Sequence, residues 1–213
     1  MMPAFEFWIV AGPNGAGKTT CVQAEPIRSL IPNVRFLNPD DETRRSLIAM
    51  GYAGFFDTPQ SVLQTAFIQS ANEVEEHIVQ AIDRCESIGV ETVLSTLKYR
   101  QMVEAAIRQG GQFNLVYITL ASSKIAVRRV ALRVSRGGHD VPADKIEDRF
   151  RRSHANLGWF ASKARHFWVI DNSGSDPAIP PNLCAYGSHG RLAHLDQNSL
   201  DLLKESLSAL AFT

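Results

Sequence analysis

Apolar residues along this chain fall into two alternating patterns, short continuous runs and stripes at helical spacing, and the alternation predicts a parallel sheet with helices packed on both of its faces. Residues 5–11 form the first run, a strand. A helix opens at Lys18 and extends to about Glu25, where Pro26 should kink or end it. Residues 34–37 read as a second strand, closed by Asn38-Pro39-Asp40. Asp57-Thr58-Pro59 starts a helix with Pro59 in its first position, carrying Val62, Leu63, Ala66 and Phe67. A further helix carries Val74, Ile78, Ala81, Ile82 and Cys85, with Gly89 placed to stop it. Residues 90–95 give a third strand, Met102, Val103, Ala106 and Ile107 a helix ended by Gly110-Gly111, and residues 113–120 a fourth strand.

Residues 121–136 read as a basic helix interrupted by Gly137-Gly138-His139, and Pro142 starts another helix with Ile146, Phe150 and Leu157 on its core side. Residues 167–170 are a fifth strand, finished by Asp171-Asn172-Ser173. After Pro177 the pattern weakens to a short amphipathic helix at about 200–210. The expectation is one α/β domain over 1–213, with about five parallel strands, helices on both faces, a lid region at about 122–157 and a C-terminal appendage at about 177–213. Ligands in such a sheet bind beyond the carboxyl ends of the strands.

Length and composition agree with a single globular domain: 213 residues, 45% hydrophobic and 21% charged. No apolar run reaches the length of a membrane span, and the start lacks a basic region followed by a long apolar stretch, so a cytoplasmic protein is expected. Cys21, Cys85 and Cys184 are widely separated and have no metal-ligand spacing, so no disulfide is expected. Net charge is zero, which argues against a dedicated nucleic-acid binder. The distribution is uneven, however, because 11 of the 22 basic residues lie between Lys124 and Arg165.

The strongest chemical signal follows the first strand directly. Gly12-Pro13-Asn14-Gly15-Ala16-Gly17-Lys18-Thr19, with Thr20 behind it, has the Walker A spacing of a phosphate-binding loop. Glycines let successive backbone N–H groups curl around a phosphate, the following helix directs its positive end at the same anion, Lys18 reaches the β- and γ-phosphates, and the Thr19 hydroxyl binds Mg²⁺. A nucleoside triphosphate is therefore the expected ligand. The fourth strand ends Thr119-Leu120-Ala121-Ser122, without the carboxylate typical of motor and transporter ATPases, which favours a kinase-like site.

Two carboxylates sit at predicted strand ends. Asp40 is suited to take a proton from an attacking hydroxyl, or it belongs to a turn that caps the next helix. Glu91, beside Thr92, Ser95 and Thr96, either faces substrate or Mg²⁺-bound water, or sits at a wet strand edge. Arg129, Arg133 and Arg136 recur at i, i+4 and i+7, one face of a helix, and Gly137-Gly138 beyond them is a hinge for a lid closing over the transferring phosphoryl group; a solvated charged helix is the alternative. Arg149 and Arg152 complete the clamp or face water. His139, His154 and His166 read as loop or surface histidines; Trp8, Trp168, Phe55 and Phe56 read as core, although Phe55 and Phe56 also suit a loop packed on substrate.

In order, AGPNGAGKTT at 11–20, LNPD at 37–40, ETVLST at 91–96, RVALRVSRGGHDVP at 129–142 and RFRRSHANL at 149–157 resemble the zeta-toxin-like P-loop kinases, in particular their compact bacterial branch. The resemblance implies an ATP- and Mg²⁺-dependent phosphotransferase, and in the family's toxins the acceptor is a hydroxyl of a UDP-N-acetyl sugar. By position it implies Lys18 and Thr19 on phosphate and magnesium, Asp40 as general base, Glu91 facing substrate or metal, and Arg129 and Arg136 as lid arginines, with Arg133 a further candidate; Asn38, Ser95, Thr96 and Arg149 are the remaining candidates for the substrate side. No family motif matches between Phe55 and Glu86, where the toxins hold the sugar nucleotide. An antitoxin protein is a possible partner by the same resemblance. A kinase of nucleosides or nucleic-acid ends, and a nucleotide-dependent binding switch with little catalysis, are the alternatives.

Overall fold

Strand β1 (Glu6–Ala11) carries apolar side chains on both of its faces, so it has to be covered twice. Phe7, Ile9 and Ala11 join one hydrophobic core and Trp8 and Val10 the other. The computed structural model, which describes residues 5–25, 27–31, 34–174 and 180–213, places β1 inside a mixed sheet of eight strands. Their order is β2 (Phe36–Leu37), β3 (Ile88–Thr92), β1, β4 (Gln112–Thr119), β5 (His166–Asp171), β6 (Asn182–Ser188), β7 (Arg191–Leu195) and β8 (Ala211–Phe212). The first five strands in sequence are mutually parallel, and β6 and β7 continue the sheet antiparallel from β5.

Helices α4 (Gln60–Asp83), α5 (Tyr99–Arg108) and α8 (Asp201–Leu207) cover the first face through Val74, Ile78, Val103, Ala106, Leu203 and Leu207. Helices α1 (Lys18–Gln23), α2 (Ile27–Leu30) and α6 (Ser123–Val134) cover the second through Cys21, Ile27, Ala126 and Val130. The long α7 (Ala143–Lys163) serves both, with Ile146 and Phe150 on the second core and Leu157 and Phe160 on the first. Helix α3 (Pro39–Ala49) follows β2 and packs beside α4. Cys21 and Cys184 are buried free thiols and Cys85 an exposed one. Among the described residues no helix is long and apolar enough to cross a membrane.

Several elements differ from the sequence reading. The two helices expected over 59–85 are one, because Ser70, fully buried between Ala66 and Val74, continues the apolar stripe that its polarity hides. That helix ends at Asp83, and Gly89 lies within β3 under the Phe36 ring. Asn38-Pro39-Asp40 is the start of α3, with Asn38 as its N-cap. Pro26 and Pro177 lie outside the described residues. Phe56 is 67% exposed, not core.

The largest difference is after Pro180, where three strands extend the sheet. β6 and β7 are joined by His189-Gly190, with φ of 50° and 71°, the two left-handed residues of a type I′ hairpin. Histidine is an unusual first residue for that turn, and β6 buries Cys184, Ala185 and Gly187 rather than large aliphatics, so neither strand advertises itself. Leu192 of β7 is 1% exposed and belongs to the same core as β1 and β4. Leu192→Ala is therefore expected to lower the unfolding free energy by about 3 kcal/mol. Urea denaturation followed by both fluorescence and circular dichroism should show one shifted transition; two separate transitions would mean that the last strands fold apart from the rest.

Candidate active site

The chain leaves β1 at Ala11, turns through residues 12–17 and enters α1 at Lys18, so the loop lies at the carboxyl edge of the sheet. Gly17, the N-cap of α1, has φ of 79°, and a Cβ there would come within 2.7 Å of Asn172 Nδ2. That amide donates to Ala16 O at 2.8 Å, while Gly12 N–H donates to Thr92 O at 3.2 Å, so the loop is moored to the segments after β5 and at the end of β3. Lys18 is folded back, its Nζ donating to Gly12 O at 2.9 Å and Pro13 O at 3.3 Å. Burial pulls the ammonium pKa down to about 8, and Arg133 adds to the fall, against the opposing pull of Glu91 and Asp40. Asn14 Oδ1 is buried and has no hydrogen-bond partner among the described residues.

Glu91 stands on β3, register-paired with Val10, and is 8% exposed. Its Oε2 accepts from Thr19 Oγ1 at 2.8 Å and from Asn38 Nδ2 at 3.3 Å. Burial pushes this carboxyl up; the Thr19 hydroxyl and Lys18 pull it back, and Asp41 and Asp40 add to the rise. The wet-edge alternative is thereby set aside. Thr19 Oγ1 and Glu91 Oε2 are an oxygen pair of the kind a hard divalent cation accepts. No group of three or more His, Cys, Asp or Glu gathers among the described residues, so a cation here would draw its remaining ligands from phosphate and water.

Asp40 is the second residue of α3, and its N–H donates to Asn38 Oδ1 at 3.0 Å. Capping is thus done by the Asn38 side chain. The exposed Asp40 carboxylate makes no hydrogen bond or ion pair among the described residues and faces the cleft. That cleft, about 620 Å³, is lined by Asn14, Gly15, Gly17, Lys18, Thr19 and Thr20 on the loop side. Asn38, Asp40, Glu91, Ser95 and Thr96 line it as well, from the ends of β2 and β3 and the start of α3. Gly12, Pro13 and Ala16 are buried beneath the loop and do not line the cleft.

Arg129 and Arg133 of α6 and Arg149 and Arg152 of α7 roof the cleft. Arg129 Nη2 donates to Gly174 O at 2.7 Å and Arg133 Nη2 to His139 O at 2.9 Å. Arg136 is not brought to this cleft. Helix α6 ends at Val134, and Arg136, past its last turn, borders an adjoining hollow with Arg44, Phe55 and Leu132 and with Arg129 and Arg133, which line both.

Sequence reasoning missed three residues near the site. Lys98, ion-paired to Glu75 at 2.5 Å, and Tyr99 line the cleft; their place directly after Ser95-Thr96, where a helix starts, was the available signal. His139, read as surface, is half-buried against Phe55 and Phe67, with ring centroids 5.6 and 4.3 Å away. Burial holds its imidazole below the ordinary pKa, with Asp40 opposing. His154 is fully buried, its Nε2 2.8 Å from Thr119 Oγ1, and His166 is half-buried on β5 beside Trp168.

Solved structures share this fold. The crystal structure of AvrRxo1-ORF1:-ORF2 with ATP superposes with a TM-score of 0.70 at 14% identity, over 100% of this chain and 66% of that one. The PezAT chromosomal toxin–antitoxin system of the human pathogen Streptococcus pneumoniae gives 0.57 at 13%, over 99% and 80%. The Pnkp1/Rnl/Hen1 RNA repair complex gives 0.52 at 18%, over 73% and 46%. At these identities the likeness is one of fold, and this chain spans 66% of the AvrRxo1 chain's length. No curated protein sequence matches significantly. The family model described as zeta toxin matches residues 6–177, most of the sheet and every side chain that lines the cleft, and the chain therefore belongs to the zeta toxin family.

Proposed function

We propose that this chain is an ATP- and Mg²⁺-dependent kinase that transfers the γ-phosphoryl group to a hydroxyl of a small molecule, with a UDP-N-acetyl sugar as first candidate. The observation that carries the reading is the meeting of Lys18, the Thr19–Glu91 pair and the Asp40 carboxylate, which has no partner among the described residues, in one cleft. Lys18 exchanges the Gly12 and Pro13 carbonyls for the β- and γ-phosphates. Asp40 accepts the proton of the acceptor hydroxyl as its oxygen attacks the γ-phosphorus in line with departing ADP. Arg129 and Arg133 neutralise charge on the transferring oxygens. Thr19, with Glu91 directly or through water, holds the divalent ion, which when bound supplies charge neutralisation at the phosphates. Of the remaining cations lining the cleft, Lys98 is paired to Glu75 and Arg152 to Asp148, whereas Arg149 makes no ion pair among the described residues and suits a substrate that itself carries phosphate, which supports a sugar nucleotide over a neutral alcohol. The solved PezAT system pairs its toxin with an antitoxin, which supports a protein inhibitor as a partner here.

Asp40→Asn tests the base. With UDP-N-acetylglucosamine as probe acceptor, turnover should fall by about 10² to 10⁴ while ATP affinity stays within about twofold. Wild-type turnover in the variant would remove Asp40 from the chemistry. Should the native chain bind ATP yet add no phosphate to this probe, the acceptor assignment is wrong.

Lys18 gives a proton signature. Its pKa of about 8 in the ligand-free chain rises when phosphates surround it, so binding well below that pH needs no proton and binding well above it takes one up. Calorimetry at pH 9 in two buffers of different ionisation enthalpy should register uptake approaching about one proton per ATP, with affinity falling as pH rises. Equal heats in both buffers would contradict the assignment.

A further inference from the structure

Leu94, just beyond β3, is 1% exposed yet has φ of 60°, the left-handed backbone that leucine avoids. Three hydrogen bonds hold the chain there. Leu94 N–H donates to Thr92 Oγ1 at 3.2 Å, Ser153 Oγ donates to Val93 O at 2.6 Å, and Asn156 Nδ2 donates to Leu94 O at 2.9 Å. Ser153 and Asn156 are buried, three residues apart on one face of α7. With its own proton committed to Val93, the Ser153 oxygen accepts from Tyr117 Oη at 2.9 Å. Between them, His154 joins Thr119 on β4, so this stretch of α7 is tied by polar contacts to the ends of two strands.

Buried donors aimed at two successive carbonyls are a specific and otherwise expensive arrangement inside an apolar core. They hold the chain at the turn after which Ser95 and Thr96 line the same cleft as the phosphate loop. One turn earlier on the same helix, Arg149 and Arg152 line the same cleft. We infer that Ser153 and Asn156 are positioning residues for the phosphate acceptor: by clamping the Val93 and Leu94 carbonyls they set the acceptor wall at 95–96 in register with the guanidinium groups of α7. The inference rests on the kinase reading of the cleft, and it assigns acceptor geometry to two residues that do not touch the acceptor.

The test uses the full chain carrying Asn156→Leu, which keeps approximate volume and removes the donor, and Ser153→Ala, a smaller change should the first fail to fold. Hydrogen exchange of the 93–97 amides should accelerate about tenfold in either variant while residues 12–19 keep native protection. With UDP-N-acetylglucosamine as acceptor, its KM should rise, or kcat fall, about tenfold or more while ATP affinity stays within about twofold. Unchanged exchange at 93–97 in a folded variant overturns the inference, as does an ATP affinity that drops in parallel with acceptor use. If the native chain does not phosphorylate the probe, the acceptor named above fails, and the exchange measurement still decides whether the clamp exists.

Discussion

A carboxylate buried at the edge of an apolar parallel sheet costs free energy unless something offsets it, and Glu91 is such a group. Around it the fold gathers partners from two elements. Thr19 comes from the first turn of α1, Asn38 from the cap of α3, and Lys18 contributes charge. Each of these positions is set by a strand end: β1 delivers Lys18 and Thr19, β2 delivers Asn38, and β3 carries Glu91 itself. The site therefore requires these three parallel strands to end at one level, which their register provides by setting Val10 beside Glu91 and Leu37 beside Val90.

Much of this was legible from the chain alone where local pattern and tertiary role coincide. The glycine-rich turn between a buried strand and a helix can do little else, and β4 announced itself by continuous apolarity. Illegible features were those in which burial and polarity disagree. Ser70 interrupts an apolar stripe on paper and completes it in space. His154 read as a loop or surface histidine and Ser153 and Asn156 gave no signal, yet all three are buried because their partners include carbonyls, hydroxyls and a ring distant in sequence. Arg136 lies past Val134, where the helix stops, and borders the adjoining hollow with Arg129 and Arg133 rather than the cleft itself. His139 gave no local sign that two phenylalanines more than seventy residues upstream would flank it.

Helix α7 connects the two halves of this picture. Its first turns pack on the second core, its later turns on the first, and its middle holds both the arginines over the cleft and the buried donors beneath the 93–96 segment. An element packed on both faces of a sheet resists small displacements, because a shift that relieves one interface disturbs the other. Ser153, Asn156 and the arginines above them accordingly move as one body.

The resting partners of the cationic groups have their own consequence. Lys18 lies on two loop carbonyls and Arg129 on that of Gly174, so neither long side chain wanders before a ligand arrives. Entry of a polyphosphate becomes an exchange of neutral oxygens for charged ones at sites already ordered, and the loss of rotamer freedom that ordinarily opposes capture by lysine and arginine has been met during folding.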